Sequence, residues 1–365
     1  MTIINPADKR LQSLDFFRGL IMVLLMIEST RLYDHLYELS DDSFLQAFFL
    51  QFFHHPWNGL RFWDLIQPGF MFIAGTAMAF SLHKQWENGT SWNESFGKAL
   101  RRSGWLFFWG VLDYAVRPGG LSFELWDVLT QLSFTTLVAF LIFRWKATSQ
   151  IAFSMGLLLL TELLYRFTNI PTFDQPFTDQ HNFGNYMDLV LMNKINAGGW
   201  VAINCIPTAA HTIWGALAGK LLLTLAPTEI KLRRLVFAGI ACLIVGYAMD
   251  WTITPIIKPI ATSSFTLASG GWCLLALASF YWWIDVLNHR RYLDFFTIVG
   301  MNSIFIYLFF EIVGGRWFNG YICATGETIR PLVVQRMCWN IGKSKGRGGI
   351  TFVVQNALHP ILEVY

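Results

Sequence analysis

One stretch of the chain combines titratable imidazoles with a carboxylate at the edge of an apolar segment. His54 and His55 lie in a polar, turn-like loop, and Asp64 lies about one helical turn inside the apolar run that follows, up to Gly75. An ionisable side chain within a membrane costs roughly 2.5–3.5 kcal/mol on insertion scales, so it is usually paired or lines a wet cavity. The stretch therefore predicts a chemical site that contains His54 and Asp64.

Two kinds of chemistry suit an imidazole in this position. A neutral imidazole can act as a nucleophile that carries a transferred group, or as a general base that takes a proton from an amine. The ordinary histidine pKa of about 6.5 nearly supplies the neutral form at pH 7. Asp64 would orient the ring of His54 or hold its proton, and we interpret His55 as a spectator. The alternative is that His54 is an interfacial histidine without a chemical role.

The composition indicates a membrane protein. The chain is 54% hydrophobic and only 14% charged, whereas soluble domains carry about 25% charged residues. Sixteen tryptophans and thirty-three phenylalanines suit the aromatic belts at the two membrane–water interfaces. A net charge of +3 without a basic stripe argues against nucleic acid as a partner. The five cysteines lack paired or metal-ligand spacing, so we expect neither a disulfide framework nor a metal site.

The apolar segments predict an all-α fold, a polytopic transmembrane helix bundle. Segments of about 18 apolar residues can cross a bilayer, and we expect about nine spans, near residues 16–30, 60–82, 103–116, 121–143, 151–167, 200–223, 235–251, 265–286 and 295–317. We expect the first span to remain as an anchor, because no cleavage site follows it. Residues 1–318 form one predicted membrane domain, and residues 319–365 form an aberrant or disordered polar tail.

Lysine and arginine positions predict the orientation of the bundle. Cations cluster in alternate loops, which the positive-inside rule assigns to the cytoplasm together with the N-terminus. This orientation places His54 and Lys258 on the non-cytoplasmic side. We expect a bacterial cytoplasmic membrane, because no other targeting signal is visible in the sequence. The long polar loop of residues 167–199 lies on the same side. Its aromatic and amide side chains either bind a sugar or belong to a plain solvated connector.

Several motifs, in the same order and spacing, resemble the heparan-α-glucosaminide N-acetyltransferase family and its bacterial relatives. The resemblance runs from about Arg10 to about Arg316. The matching segments are Arg10-Leu11-Gln12-Ser13-Leu14-Asp15-Phe16-Phe17-Arg18-Gly19, His54-x-x-Trp57-Asn58-Gly59-Leu60 with Asp64-Leu65 and Pro68, Ile206-Pro207 with Gly215-Ala216-Leu217-Ala218-Gly219, Lys258 with Thr262-Ser263-Ser264-Phe265, and Gly300-Met301-Asn302-Ser303-Ile304.

The resemblance implies acetyl transfer across a membrane, from cytosolic acetyl-CoA to the amine of a terminal glucosamine. It also implies that His54, three residues before the motif tryptophan, is the active-site histidine. The sequence departs from the family at Glu28, where the family has asparagine, and at Gln131, where it has arginine. The similarity ends near Trp317, which a divergent or frameshifted tail would explain.

The motifs yield two groups of candidate binding residues. Asp15 and Arg18, three residues apart on one helix face, either pair with each other or bind the phosphates of acetyl-CoA. Arg101 and Arg102 are interpreted as positive-inside residues, with a phosphate contact as the alternative. The substrate-binding candidates are Glu28, Trp57, Asn58, Lys258 and Asn302.

The candidate substrate-binding residues have competing interpretations as well. Glu28 is either a second acid or base for the acceptor amine or an interfacial residue in water. Lys258 either clamps a carboxylate or pyrophosphate or is simply an exposed lysine, and Asn302 is expected to line the active site.

We therefore predict an acetyl-CoA-dependent N-acetyltransferase that uses no metal. The expected partners are the lipid bilayer and an amino-sugar or glycan acceptor, and a homodimer is left open. One alternative is a proton-coupled transporter of a sugar or glycan precursor, in which His54, Asp64 and Glu28 relay protons. The other is an inactive relict.

Overall fold

The structure is a computed structural model that describes residues 11–40, 42–117, 121–291 and 293–318, with side chains as far as residue 314. All the secondary-structure elements assigned in these ranges are helices, which confirms the all-α prediction for this part of the chain. The chain divides into two compact units, Met1–Phe310 and Glu311–Tyr365. The tail predicted at 319–365 lies outside the described residues, and the boundary expected after residue 318 stays a prediction.

The α-helices of the described residues are numbered in chain order. They are α1 (Gln12–Ser29), α2 (Leu32–Glu38), α3 (Ser43–Leu50), α4 (Ile66–Glu87), α5 (Trp92–Ala115), α6 (Val128–Leu141), α7 (Ala147–Phe167), α8 (Phe183–Met192), α9 (Cys205–Leu223), α10 (Thr228–Thr252), α11 (Ser263–Phe280), α12 (Leu293–Met301) and α13 (Ser303–Leu308). Short helical turns at Phe62–Leu65 and Ala202–Asn204 precede α4 and α9, and Tyr281–Val286 extends α11. Each predicted span overlaps one of these helices.

Four helical stretches are long and apolar enough to cross a membrane. They are Phe62–Glu87, Ala147–Phe167, Thr228–Thr252 and Ser263–Val286. A fifth crossing is formed if Leu293–Met301 and Ser303–Gly314, which meet at 79°, count as one span. These helices indicate a membrane protein, while the nine crossings and the cytoplasmic N-terminus stay predictions.

The last predicted span is not continuous, because the helix breaks at Asn302. The Asn302 side chain donates from Nδ2 to the Ile298 carbonyl at 3.0 Å, and its backbone N–H donates to Val299 at 3.1 Å. An asparagine that bonds to the backbone of its own helix competes with the helical ladder. Hydropathy is not sensitive to this competition, so the sequence predicted one span across the break.

Helices α4 and α9 form one of the most extensive helix pairs of the bundle. A Cβ atom on Gly75 would overlap the carbonyl of Thr212, and one on Gly215 would overlap the carbonyl of Phe72. The hydroxyl of Thr76 donates across the pair to the Gly215 carbonyl at 3.1 Å. Small residues thus let the two backbones approach closely, and this contact fixes the helix that follows Asp64.

The loop predicted at 167–199 contains a helix of its own, α8. Asn182 begins it with a reciprocal cap, since its side chain accepts from the Asn185 N–H at 3.2 Å and the Asn185 side chain accepts from the Asn182 N–H at 3.4 Å. Asp188 on this helix accepts from the Ala202 N–H at 2.8 Å and from the Trp126 indole at 2.9 Å. The segment is therefore tied to the bundle through buried polar contacts.

Candidate functional site

Two loops that are distant in sequence meet where the predicted site lies. The Gly59 N–H donates to the Ile256 carbonyl at 2.8 Å, and Asn58 forms an isolated antiparallel bridge with Ile257. Gly59 has a φ of 142°, which side chains rarely adopt, and a Cβ atom there would overlap the imidazole of His55. The bridge brings Lys258 to the loop that carries His54.

His54, Asp64 and Lys258 form one cluster. The Nδ1 atom of His54 lies 3.0 Å from Oδ1 of Asp64 and 3.0 Å from Nζ of Lys258. The Lys258 ammonium lies 3.5 Å from the same carboxylate oxygen. Asp64 is 0% exposed and Lys258 5%, whereas the side chain of His54 is 48% exposed. A buried ion pair therefore supports an imidazole that solvent or a substrate can reach.

The second oxygen of Asp64 orders the loop. Oδ2 accepts from the backbone N–H groups of His55 at 3.2 Å and Arg61 at 2.9 Å. The Arg61 guanidinium in turn donates to the His54 carbonyl at 2.9 Å. Both oxygens of the carboxylate are thus engaged, which holds His54 at a fixed position relative to Asp64.

The surroundings keep the imidazole neutral. Burial lowers the pKa of His54, and the positive charge of Lys258 lowers it further against the opposing effect of Asp64. Burial also lowers the pKa of Lys258 to about 8, although Asp64 and Glu28 oppose this shift. Near pH 7 the neutral form of His54 is therefore favoured, as both chemical roles require.

Two tautomers of His54 are compatible with these contacts. In one, Nδ1–H donates to Asp64, and the lone pair of Nε2 points away from the ion pair. In the other, Nδ1 accepts from Lys258, and Nε2 carries the proton. Asp64 and Lys258 thus favour opposite tautomers of the same ring, which allows the proton to change sides during a reaction cycle.

Tryptophans surround the exposed part of the cluster. The ring of Trp200 meets His54 edge to face at 5.8 Å, and the Lys258 ammonium lies 5.2 Å from the centre of that ring. Trp57 donates from its indole to the Phe177 carbonyl at 2.8 Å, which ties the motif to the 168–201 segment. Sequence reasoning missed Trp200 and Arg61. The glycines Gly198 and Gly199 before Trp200 were the available signal for a tight turn there.

Glu28 lies at the edge of the cluster. Its carboxylate accepts a hydrogen bond from the indole of Trp63 at 2.9 Å, and Trp63 directly precedes Asp64 in the sequence. Its negative charge also raises the pKa of Lys258. The structure thus places Glu28 with the His54 cluster, together with Trp57, Asn58 and Lys258.

Three other predicted residues lie elsewhere in the bundle. Arg18 and Asn302 line a cavity of about 370 Å³ that Arg102 also lines. Asp15 is buried on α1, and its carbonyl lies where a Cβ atom on Gly300 would be. These residues are brought near one another by the packing of α1 on α12, but His54 does not line this cavity.

A second, smaller cavity of about 150 Å³ adjoins the first. Both are lined by Ala74 and Arg102, and the smaller one continues to Lys98 and Gln85 near the far ends of α4 and α5. Cationic side chains therefore follow the two cavities, with Lys98 at one end, Arg102 at the junction and Arg18 at the other end.

A pair of amide side chains links the start of α4 to α6. Gln67, one helical turn after Asp64, donates to the side chain of Gln131 on α6. Phe70, one turn further along α4, lines the larger cavity. At 1.5 Å per residue, the six residues from Asp64 to Phe70 span about 9 Å. Gln67 thus lies between Asp64 and Phe70 along α4, and we call the Gln67–Gln131 pair the partition.

Comparisons with known proteins give one relationship. No family model matches the sequence. Heparan-α-glucosaminide N-acetyltransferase of Mus musculus is 32% identical over 154 residues, which are 39% of this chain. The chain is therefore related to that enzyme's family. The match covers 21%, about a fifth, of the length of the mouse protein.

Proposed function

We propose, from this relationship, that the chain transfers an acetyl group from acetyl-CoA to the amine of a glucosamine-type sugar. The observation that carries the proposal is the contact of His54 Nδ1 with Asp64 Oδ1 at 3.0 Å, with Lys258 beside both. The mouse relative is named as a transferase, which favours this function over the transporter alternative.

A nucleophilic route uses the tautomer with Nδ1–H on Asp64. The Nε2 lone pair attacks the thioester carbonyl carbon, the N–C bond forms, the C–S bond breaks, and CoA leaves as the thiolate. Asp64 stabilises the acetyl-imidazolium through the Nδ1–H hydrogen bond. The acceptor amine then attacks the acetyl carbon, and the N–C bond to His54 breaks. The amine gives its proton to the freed Nε2 of His54, which releases it to solvent and balances the proton that the CoA thiolate takes up. Lys258 disfavours a protonated His54 before the attack, when the ring must be neutral.

A direct route uses the same residues in a ternary complex. His54 takes a proton from the acceptor ammonium through Nε2, and the freed amine attacks the thioester carbonyl carbon. The C–N bond forms, the C–S bond breaks, and CoA leaves as the thiolate, which takes up the second proton that the amine loses. Both routes need the neutral imidazole that the low pKa of His54 supplies. They differ in one respect, because only the nucleophilic route leaves an acetyl group on His54 when no acceptor is present.

The cavities along α4 and α5 suit the donor. Guanidinium groups bind phosphate oxygens through paired hydrogen bonds, so Arg18, Arg102 and Lys98 would hold the phosphates of acetyl-CoA. The acetyl group would then reach His54 past Gln67 and Gln131, whose side chains must separate. In the orientation that we propose, nine spans cross the cytoplasmic membrane of a bacterial cell. The donor cavities open towards the cytoplasm, and His54 faces the opposite side of the membrane.

The test uses the purified full chain in lipid nanodiscs with acetyl-CoA labelled in the acetyl group. With glucosamine present, we expect CoA release and labelled N-acetylglucosamine, and we expect both to be lost in His54→Ala. The matched control is His35→Ala, since His35 is an exposed histidine on α2, outside the cluster.

Omission of the acceptor separates the two routes. Label that remains on a peptide containing His54 supports the nucleophilic route, and unlabelled protein with normal turnover supports the ternary complex. If His54→Ala releases CoA and acetylates glucosamine as fast as the unmodified protein, the proposed function is wrong.

A further inference from the structure

A groove of about 590 Å³ begins beside the His54 cluster and is distinct from the donor cavities. Its walls come from α1, the loop before α4, α10 and α11, and they are mostly apolar. This volume falls within the range of about 300–1,000 Å³ that is typical of small-molecule sites. The groove therefore has room for a ligand and not only for a few water molecules.

The groove opens beside two helices whose length and composition suit the hydrocarbon of a bilayer. Helices α10 and α11 are both apolar enough to span a membrane. Large apolar side chains at the groove remain exposed, with Phe62 at 41% and Trp272 at 42%. Along α11 the lining runs from Trp272 to Phe280, which is about 12 Å at 1.5 Å per residue. An extended hydrocarbon chain matches this long, apolar shape.

The end of the groove at the loop is polar and cationic. Gln51 and Arg61 line it there. The Arg61 guanidinium donates to the His54 carbonyl, and no carboxylate of the described residues forms an ion pair with it. A guanidinium has five N–H donors, so donors remain for an anion. The charge and the adjacent apolar walls together match an amphiphile with an anionic head.

We propose that this groove holds the hydrocarbon chain of the acceptor, and that the acceptor is an amino sugar linked through a phosphate to a lipid. The inference rests on the proposed acetyl transfer and names its substrate class. Arg61 binds the phosphate, and the sugar amine extends towards His54. The two residues are close because Arg61 and His54 both bind the Asp64 carboxylate, Arg61 through its backbone N–H and His54 through Nδ1.

Binding is tested independently of catalysis by photolabelling. The full chain in nanodiscs is irradiated with dodecyl phosphate that carries a diazirine at the end of its chain, and labelled peptides are mapped by mass spectrometry. We expect label on the peptides with Phe17 and Phe280, which line the end of the groove away from Arg61. Unlabelled dodecyl phosphate should compete for this labelling at least tenfold better than neutral dodecyl maltoside. Label spread evenly over the exposed faces of α7 and α10, or equal competition by the two amphiphiles, overturns the groove as an anionic-lipid site.

Catalysis tests the role of that lipid as acceptor. Glucosamine 1-phosphate is compared with its dodecyl phosphodiester, and we expect kcat/KM to be at least tenfold higher for the dodecyl compound. Ala276→Phe, which fills the middle of the groove, should abolish this preference. Ala241→Phe should retain it, because Ala241 is exposed on α10 and does not line the groove.

The outcomes distinguish this inference from the proposed function. Equal transfer to the two acceptors, or an unchanged preference in Ala276→Phe, overturns the lipid-linked acceptor and leaves acetyl transfer standing. Failure to acetylate either acceptor, with groove labelling retained, refutes the proposed function and the acceptor role with it.

Discussion

Replacement of Asp64 by asparagine tests the central geometry most directly. The change keeps the shape of the side chain but leaves one acceptor oxygen and one NH2 group in place of two acceptor oxygens. Asp64 now accepts from two backbone N–H groups through Oδ2 and from His54 through Oδ1. If the amide oxygen stays with the fixed backbone donors, the NH2 group faces Nδ1 of His54 and forces Nδ1 to accept a hydrogen bond. The proton of the ring then moves to Nε2, where the lone pair is needed.

The expected magnitude follows from the hydrogen bond to His54 and the ion pair with Lys258, both of which the asparagine removes. In a serine protease triad, the same exchange imposes the wrong histidine tautomer and lowers kcat about 10⁴-fold. The side chain of His54 is 48% exposed, and water can partly replace the missing interaction, so we expect a fall in kcat of roughly 10²- to 10⁴-fold. Lys258 also loses its buried counter-ion, which costs about 3 kcal/mol of unfolding free energy, at the low end for a broken buried pair because the lysine can release its proton.

The assay measures CoA release and thermal unfolding of the same purified variant. Asp42→Asn is the matched control, since Asp42 caps α3 with one oxygen, which accepts from Phe44 at 2.7 Å and Leu45 at 3.3 Å. An asparagine can make both contacts, so we expect no change in activity or stability. If folded Asp64→Asn keeps more than about a tenth of the unmodified kcat, Asp64 does not select the tautomer of His54 and the reasoning is refuted.

Three further outcomes are expected. Removal of the positive charge in Lys258→Met raises the pKa of His54. On acidification the imidazole then becomes protonated at a higher pH than in the unmodified protein, and the acid limb of the kcat/KM profile moves towards neutral pH. Lys194→Met, which removes an ion pair with Glu124 outside the cluster, should leave the profile unchanged. Gln131→Leu removes the partner of Gln67 in the partition, and we expect CoA release without acceptor to rise severalfold; an unchanged rate would contradict the partition. Burial raises the pKa of Asp188 to about 7, so the charged carboxylate destabilises the folded protein, and stability should fall as the pH rises from about 4 to about 7. Thermal unfolding of Asp188→Asn should show no such fall in stability with pH. If the fall persists in this variant, other groups cause it.

The sequence predicted the parts of the site that depend on local spacing. His54 and Asp64 are ten residues apart, with a short helical turn between the loop and α4, so one loop and one turn determine their contact. Their roles stay predictions until the variants are measured. The membrane character also followed from composition, because apolar content and helix length are properties of single segments.

Contacts between distant segments were beyond single-sequence reasoning. Lys258 is 204 residues from His54, and only a motif shared with a known family directed attention to it. Its position beside Nδ1 depends on the bridge between Asn58 and Ile257, which has no periodic signal in either loop. Trp200 was missed for the same reason, because a tryptophan after two glycines does not by itself indicate a contact with the loop that carries His54.

The ends of some helices differ from the ends of the predicted apolar segments, because polar side chains also start and interrupt helices. Helix α5 begins at Trp92, eleven residues before the apolar segment predicted at 103–116, because Ser91 and Glu94 form a capping box and the first turns are polar. Asn302 has the opposite effect, because it breaks a helix within a segment that is mostly apolar. Polar local bonds thus lengthened one helix and interrupted another.

The close contact of α4 with α9 has a consequence for how a group could cross the bilayer. A transporter exposes one site to each side in turn by rocking one half of the protein against the other. Gly75 and Gly215 pack α4 directly against α9, since a Cβ atom on either glycine would overlap a backbone carbonyl of the other helix. We therefore expect α4 and α9 to move as one body, and in the proposed transfer only the two-carbon acetyl group need pass from one site to the other.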